Sequence, residues 1–275
     1  MKRISLIAIL TIAVQLAVLA QPQFNIQGEE VYKGDDVVFH QIDEHTWVGT
    51  GHIMFNESLY LVEGDEKAVL IDAGTNIKDL DKIVASITDK PVMLVATHVH
   101  PDHTGASIDY FPELYINPAD TVGIPQFMPN YKGDVKYLKD GELIDLGGRQ
   151  LEVVFTPGHT PGSTTFVDKA AHYGFSGDSF GSGNLLLTTN FSTLLATCEK
   201  TSKLMADQGI EKLYPGHFFG PNEETPQRVD DLEKIAKGAL SGDIAGETNP
   251  GAMLGLDLFI NQYGVRVNYN EKALK

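Results

Sequence analysis

Between Thr97 and Gly105 the chain reads Thr-His-Val-His-Pro-Asp-His-Thr-Gly, placing His98, His100 and His103 beside Asp102. Buried together with nothing bound, these groups would be desolvated and poorly paired. Imidazoles and carboxylates gathered this closely are instead ligands of the kind that hold zinc. The apolar run Pro91 to Ala96 comes just before and reads as a buried strand. Thr104 and Gly105 break the pattern, and a helix start is expected beyond them. The cluster therefore belongs on a loop at the C-terminal end of a strand, where open α/β sheets bind ligands. His98 and His100 are two residues apart, so in extended chain their side chains point the same way. Asp102 and His103 follow around the turn and can face a second point. That geometry suits two metal ions side by side.

Three more segments end an apolar strand-like run on a possible ligand: Thr156 to Gly162 with His159, Phe175 to Ser179 with Asp178, and Leu213 to His217 with His217. In each a glycine immediately precedes the ligand candidate, which permits a sharp turn and close backbone approach. Taken singly, His159 and His217 read equally as loop polar residues, and Asp178 as a turn or helix cap.

The motif His-x-His-x-Asp-His resembles the signature of the metallo-β-lactamase fold superfamily, and the resemblance runs from Asp72-Ala73-Gly74 to His217. It implies a four-layer αββα sandwich, where periodicity alone reaches only α/β. It implies a binuclear centre with His98, His100 and His159 on one metal and Asp102, His103 and His217 on the other. Asp178 would bridge both. The donor set suits two Zn²⁺, with iron or manganese also compatible by ligand type. Asp72 reads either as a residue orienting a ligand histidine or as a turn residue before Gly74. His40, His45 and His172 read as surface or packing residues. His52 lies in a Gly51–Asn56 loop that the resemblance makes a flap over the metals, and it is a candidate for substrate contact. Tyr214 is a second candidate for a transition-state hydrogen bond.

Composition narrows the partners. The formal net charge is -16 across 275 residues. Such a surface repels nucleic acid, whose binding needs Lys and Arg against phosphates. A small-molecule substrate is expected instead. Lys2-Arg3, the apolar Ile4 to Leu19 and small residues ending at Ala20 form a secretory signal pattern. An exported, periplasmic protein is expected, cleaved after Ala20, with residues 21–275 as one metallo-β-lactamase-like domain and no membrane association beyond export. The lone Cys198 allows no internal disulfide and reads as a small buried residue.

Strands are expected at Val37–Ile42, His45–Gly49, Ser58–Val62, Ala68–Ile71, Leu114–Ile116 and Lys212–Tyr214, with a last one in Gly264–Tyr269. Hairpins are expected at Glu142–Phe155 and Thr164–Ser176. Helices are expected at Ile77–Ile87, capped by Asn76, at Phe191–Met205 and at Val229–Leu240. Gln21–Asp36 reads as a poorly ordered lead-in and Val122–Asp134 as a long loop.

Two metals held side by side let a shared water ionise near neutral pH and polarise a carbonyl or phosphoryl oxygen. The expected reaction is therefore hydrolysis of an ester, lactone, thioester or β-lactam-like amide, with Asp102 available to take the proton. A β-lactamase proper, an iron-dependent dioxygenase-like enzyme and a non-catalytic metal-binding protein are the alternatives. Specificity is expected from Gly51–Asn56, Val122–Asp134 and Phe180–Asn190.

Overall fold

The structure, a computed structural model, describes residues 25–275; the expected signal segment lies outside the described residues. Among the described residues no helix is long and apolar enough to cross a membrane.

Eight strands form the first sheet in chain order: β1 (Glu30–Lys33), β2 (Val37–Asp43), β3 (Thr46–Gly51), β4 (Ser58–Glu63), β5 (Ala68–Ile71), β6 (Val92–Val95), β7 (Glu113–Ile116) and β8 (Asp134–Tyr137). Pairing is antiparallel through β5 and parallel from β5 to β8. Helix α1 (Leu80–Ala85) and the short α2 (Ile124–Phe127) lie in the connections of the parallel half.

The second sheet comes from β9 (Leu143–Asp145), β10 (Gln150–Phe155), β11 (Thr164–Asp168) and β12 (Tyr173–Gly177). Then follow β13 (Asn184–Leu186), α3 (Phe191–Gln208), β14 (Lys212–Pro215), α4 (Pro226–Ser241), β15 (Glu247–Thr248), β16 (Leu258–Gln262) and β17 (Val265–Tyr269). Strand β14 joins the second sheet parallel to β12, whereas β13 and β15–β17 make a third, smaller sheet.

Strand alternation builds the layers. Tyr60, Val62, Val69 and Ile71 point between the first two sheets, against Leu151, Val153, Phe166 and Phe175. Their neighbours Leu59, Leu61, Ala68 and Leu70 point outward, under Leu80, Ile83 and Val84 of α1. On the far side, Val154, Val167 and Leu213 face α3 and α4. The order is helix, sheet, sheet, helix, the four-layer sandwich that the resemblance implies. Strands buried on both faces need continuous apolar runs, which is why Ala68–Ile71 reads so plainly.

Several expectations need correction. The predicted lead-in contains β1, paired antiparallel with β2. Helix α1 starts at Leu80 rather than Ile77, because Asp79 adopts φ 53° in the left-handed region and serves as N-cap in place of Asn76. Beyond Gly105 the chain makes a 3₁₀ turn, Ala106–Tyr110, rather than an α-helix. The predicted loop Val122–Asp134 holds α2, with Pro125 in its first turn, where the missing N–H costs nothing. Strands β8, β13, β15 and β16 are additional to the expected set.

Candidate metal centre

The ligand candidates all leave the same end of the two central sheets. The Thr97–Gly105 loop follows β6, His159 follows β10, Asp178 follows β12 and His217 follows β14. Two of the preceding glycines are sterically required. A Cβ on Gly216 would stand 2.3 Å from Asp178 Oδ1 and 2.7 Å from His103 Cε1. Gly177 has φ +50°, and a Cβ there would meet Thr97 Oγ1 at 2.3 Å.

The structure gathers all seven predicted residues into two adjoining groups, one of His98, His100 and His159 and one of Asp102, His103, Asp178 and His217. Within each group the ligand atoms lie within 4.8 Å of one another. Hydrogen bonds set the ring tautomers. Thr97 gives its hydroxyl proton to Asp72 Oδ2 at 2.8 Å, so its oxygen accepts from His98 Nδ1 at 3.1 Å. His159 Nδ1 donates to the Leu186 carbonyl at 2.8 Å. Both Nε2 atoms therefore present lone pairs, and they converge on His100 Nδ1, 3.1 Å from His98 and 2.9 Å from His159. Three imidazole nitrogens this close with so few protons among them are what a cation satisfies.

In the second group His103 Nδ1 is 2.7 Å from Asp72 Oδ2, which leaves Nε2 facing Asp102 and Asp178. That Nε2 and Asp178 Oδ1 are buried without a hydrogen-bond partner among the described residues. With Nδ1 given to Asp72, both atoms present lone pairs, and at 3.7 Å two such orphaned lone pairs are what a cation between them would satisfy. Asp178 stands between the groups, with Oδ2 3.7 Å from His159 Nε2 and 3.4 Å from His217 Nε2.

The electrostatics differ across the centre. Burial, reinforced by the neighbouring histidines, holds His98 well below the usual imidazole range and His100 down to about 4. The first group is thus neutral and ready to ligate. Around His103 and His217 burial opposes charge, but Asp72, Asp102 and Asp178 outweigh it; His103 is raised well above its ordinary value and His217 to about 10. The carboxylates there favour positive charge, which a bound cation would supply.

The frame around the cluster is built from polar side chains with several partners each. Asp120, buried, accepts from the Val99 amide at 2.9 Å, the Thr160 hydroxyl at 2.9 Å and the Gly162 amide at 2.6 Å, tying the His98–His100 segment to the His159 loop. Glu57 accepts from the Met54 and Thr75 amides and pins the flap. Tyr60 donates to the Pro215 carbonyl at 2.5 Å, and Ser58 accepts from the Phe218 amide at 2.8 Å, together holding the His217 turn. Asp72 orients His103, and at φ 65° it also shapes the turn, so both of its readings apply. Tyr214 is corrected: it packs in the inter-sheet core against Phe175 and Phe218 and is absent from the pocket wall. His40 is half-buried, whereas His45 and His172 are exposed. Cys198 is buried and free.

A cavity of about 390 Å³ opens over the two groups. Met54, Phe55, Phe127, Leu186, Phe219, Met253 and Leu254 form its apolar wall. His52 is exposed and outside that wall; its neighbours Met54 and Phe55 face the cavity instead. Sequence reading missed Phe219, Met253 and Leu254 in the wall, and Asp120 in the frame. Only the buried Asp120 had a signal, an acidic residue after a strand, and nothing in its spacing distinguished it.

The family pattern described as "Metallo-beta-lactamase superfamily" matches residues 54–217. The chain is 31% identical over 202 residues to the acyl-coenzyme A thioesterase MBLAC2 of Homo sapiens, covering 58% of this chain and 72% of that protein. It is 27% identical over 152 residues to the hydroxyacylglutathione hydrolase GloC of Haemophilus influenzae, covering 48% of this chain and 70% of that protein. A solved metallo-beta-lactamase from Pontibacter korlensis superposes with a TM-score of 0.60 at 19% identity, covering 74% of this chain and 99% of the other. Since the matched segment takes in more than half of the 275 residues and every member of the cluster, the chain belongs to the metallo-beta-lactamase superfamily.

Proposed function

We propose that this protein is a metal-dependent hydrolase that cleaves an acyl bond, a thioester, ester or lactone, in a small molecule. One observation carries the reading: two lone pairs fixed by Thr97 and Leu186 converge on His100, beside a second group in which His103 Nε2 and Asp178 Oδ1 have no partner among the described residues. His98, His100 and His159 would hold one ion, Asp102, His103 and His217 the other, and Asp178 would touch both. Zinc is the proposed metal, from the borderline nitrogen and oxygen donors. When bound, such a pair supplies a nucleophile from water near neutral pH and a Lewis acid for the scissile carbonyl.

The chain's own residues do the remainder. Asp102 lines the cavity with Oδ2 3.5 Å from His217 Nε2, and it takes the proton that water loses on adding to the acyl carbon. The C–S or C–O bond then breaks, giving a carboxylate, a thiol or alcohol and one proton. Phe127 stands edge-on to His100 at 5.3 Å and Phe55 edge-on to His217 at 6.3 Å, placing an apolar ring beside each metal group. The acyl-coenzyme A thioesterase and hydroxyacylglutathione hydrolase relatives support acyl chemistry over phosphoryl chemistry. The leader pattern of Lys2 to Ala20 supports export to the periplasm.

The test is metal content by elemental analysis together with a panel of a thioester, a simple ester, a lactone, a β-lactam and a phosphodiester. The expected result is about two zinc per chain and turnover of an acyl substrate, lost about 10³-fold or more in Asp178→Ala and His103→Ala. A metal-loaded protein that cleaves no acyl substrate would overturn the proposal. Iron with oxygen consumption would redirect it to redox chemistry.

A further inference from the structure

Two large apolar side chains stand exposed on the cavity rim, each on strained backbone. Phe55 is 68% exposed with φ 54°, and Leu254 is 56% exposed with φ 53°. Left-handed backbone is uncommon for residues with a bulky side chain and clusters at ligand clamps. Phe55 comes from the turn between β3 and β4. Leu254 comes from the loop between β15 and β16, outside the segment matched to the family pattern.

That second loop is anchored at its base. Asn249 donates to the Leu256 carbonyl and to Asn268 Oδ1, each at 3.2 Å, and accepts from Arg266 at 3.0 Å. Asn268 in turn donates to Asn184 Oδ1, on the cavity wall, at 2.9 Å. An amide network thus fixes the loop to the wall while its tip, Met253 and Leu254, is left facing the opening.

Charge completes the picture. Among the described residues no lysine or arginine lines the cavity. Two arginines lie near that wall, and both are engaged elsewhere. Arg266 stacks 3.7 Å above the Phe259 ring and donates to Asn249 and Asn268. Arg228 donates to the Gly264 carbonyl and pairs with Glu224. With a net charge of -16, the surface beyond the metal groups gives an anionic carrier no long-range attraction, and among the described residues no side-chain cation stands at the mouth to pair with it.

Resting on the acyl-hydrolase reading above, we infer that the substrate is electrically neutral and carries an apolar acyl chain. That chain is gripped between Phe55 on one rim and Met253–Leu254 on the other. The preferred leaving group is then an uncharged alcohol or thiol, not the polyanionic coenzyme A or anionic glutathione thiols. Those carriers are strongly anionic, and among the described residues this rim places no side-chain cation against them.

The experiment compares acetyl, hexanoyl and decanoyl esters of one neutral alcohol, with decanoyl thioesters of N-acetylcysteamine and of coenzyme A, on the metal-replete protein. The expected kcat/KM rises at least about tenfold from acetyl to decanoyl, the scale on which a hydrophobic pocket discriminates. The neutral thioester should be preferred to the coenzyme A thioester. Leu254→Ser and Phe55→Ser should each reduce the decanoyl-to-acetyl ratio by about tenfold; both side chains are exposed, so folding is retained. A flat chain-length profile, or preference for decanoyl-coenzyme A, would overturn the inference and leave the hydrolase reading intact. If no acyl substrate turned over, that reading would fall, and calorimetric titration with 2-decanone would decide the pocket alone. Binding weakened by Leu254→Ser would uphold it, and no binding by the wild type would overturn it.

Discussion

Asp72 Oδ2 lies 2.7 Å from His103 Nδ1, while the same carboxylate accepts from the amide of Thr97 at 2.7 Å and from its hydroxyl at 2.8 Å. One side chain therefore fixes the tautomer of His103 directly and that of His98 through Thr97. Replacing it with Asp72→Asn offers an N–H where His103 needs an acceptor. Metal affinity should fall about 10–100-fold, the usual effect of removing a group that orients a ligand histidine. Competitive metal titration checks this; an unchanged affinity would reduce Asp72 to a turn residue.

Gly216 sits where any side chain would enter the centre. The added methyl of Gly216→Ala would stand 2.3 Å from Asp178 Oδ1 and 2.7 Å from His103. The His217 turn must shift, and the second metal should be lost in preference to the first. Stability should drop by about 1–3 kcal/mol, as for other overpacked sites. Metal counting and denaturant unfolding report the two effects separately. Retention of both metals would refute the steric argument.

Glu224, outside the ligand set, gives a pH signature of its own, to which Asp178 contributes by repulsion. Burial pushes its carboxyl from 4.5 up to about 7, although the Ser182 amide and Arg228 pull the other way. Below about pH 4.5 both folded and unfolded states are protonated. Between about 4.5 and 7 the unfolded chain ionises first, so stability falls as pH rises, and above about 7 the loss is constant. The whole effect is on the order of 3 kcal/mol. Glu224→Gln keeps an acceptor for Ser182 and removes the titration. Its stability relative to the parent should therefore rise by that amount across the window. Urea unfolding of both proteins at the two ends of the window measures it, and parallel pH curves would contradict it.

Arg149 clamps the two central sheets at the end remote from the metal groups. Its Nε meets the buried Asp168 at 2.6 Å, and its other nitrogens reach the carbonyls of His45 and Glu63, the Thr46 hydroxyl and the Tyr173 hydroxyl. Arg149→Met strands Asp168 as an unpaired buried charge, costing about 3–5 kcal/mol. Hydrolysis per folded molecule should be unaltered. A destabilisation below about 1 kcal/mol would show that the clamp contributes no more than a surface pair.

Much of the fold is legible because the central strands are buried on both faces. Ala68–Ile71 and the run into the first histidine loop are unmistakable for that reason. The strands that were missed lie toward the margins. β1 and β15 have mainly exposed residues, as does half of β8, and ladder hydrogen bonds from neighbours hold them without an apolar signature. Likewise, nothing near Ile77 announces that Asp79 turns left-handed and delays the helix by three residues.

By itself the sequence determined the identity of the seven clustered side chains and the glycines beside them, because metal ligation restricts residue type and local spacing. Tertiary structure alone decided what surrounds them. Asp120 meets Gly162 from 42 positions away, and Phe55 shares a cavity with Leu254, which lies beyond the far end of the matched segment. Such neighbours share no local period; they meet only because two stacked sheets deliver loops from distant parts of the chain to one edge. Ligand chemistry is therefore written in short motifs, whereas substrate fit is written in contacts that exist only after packing.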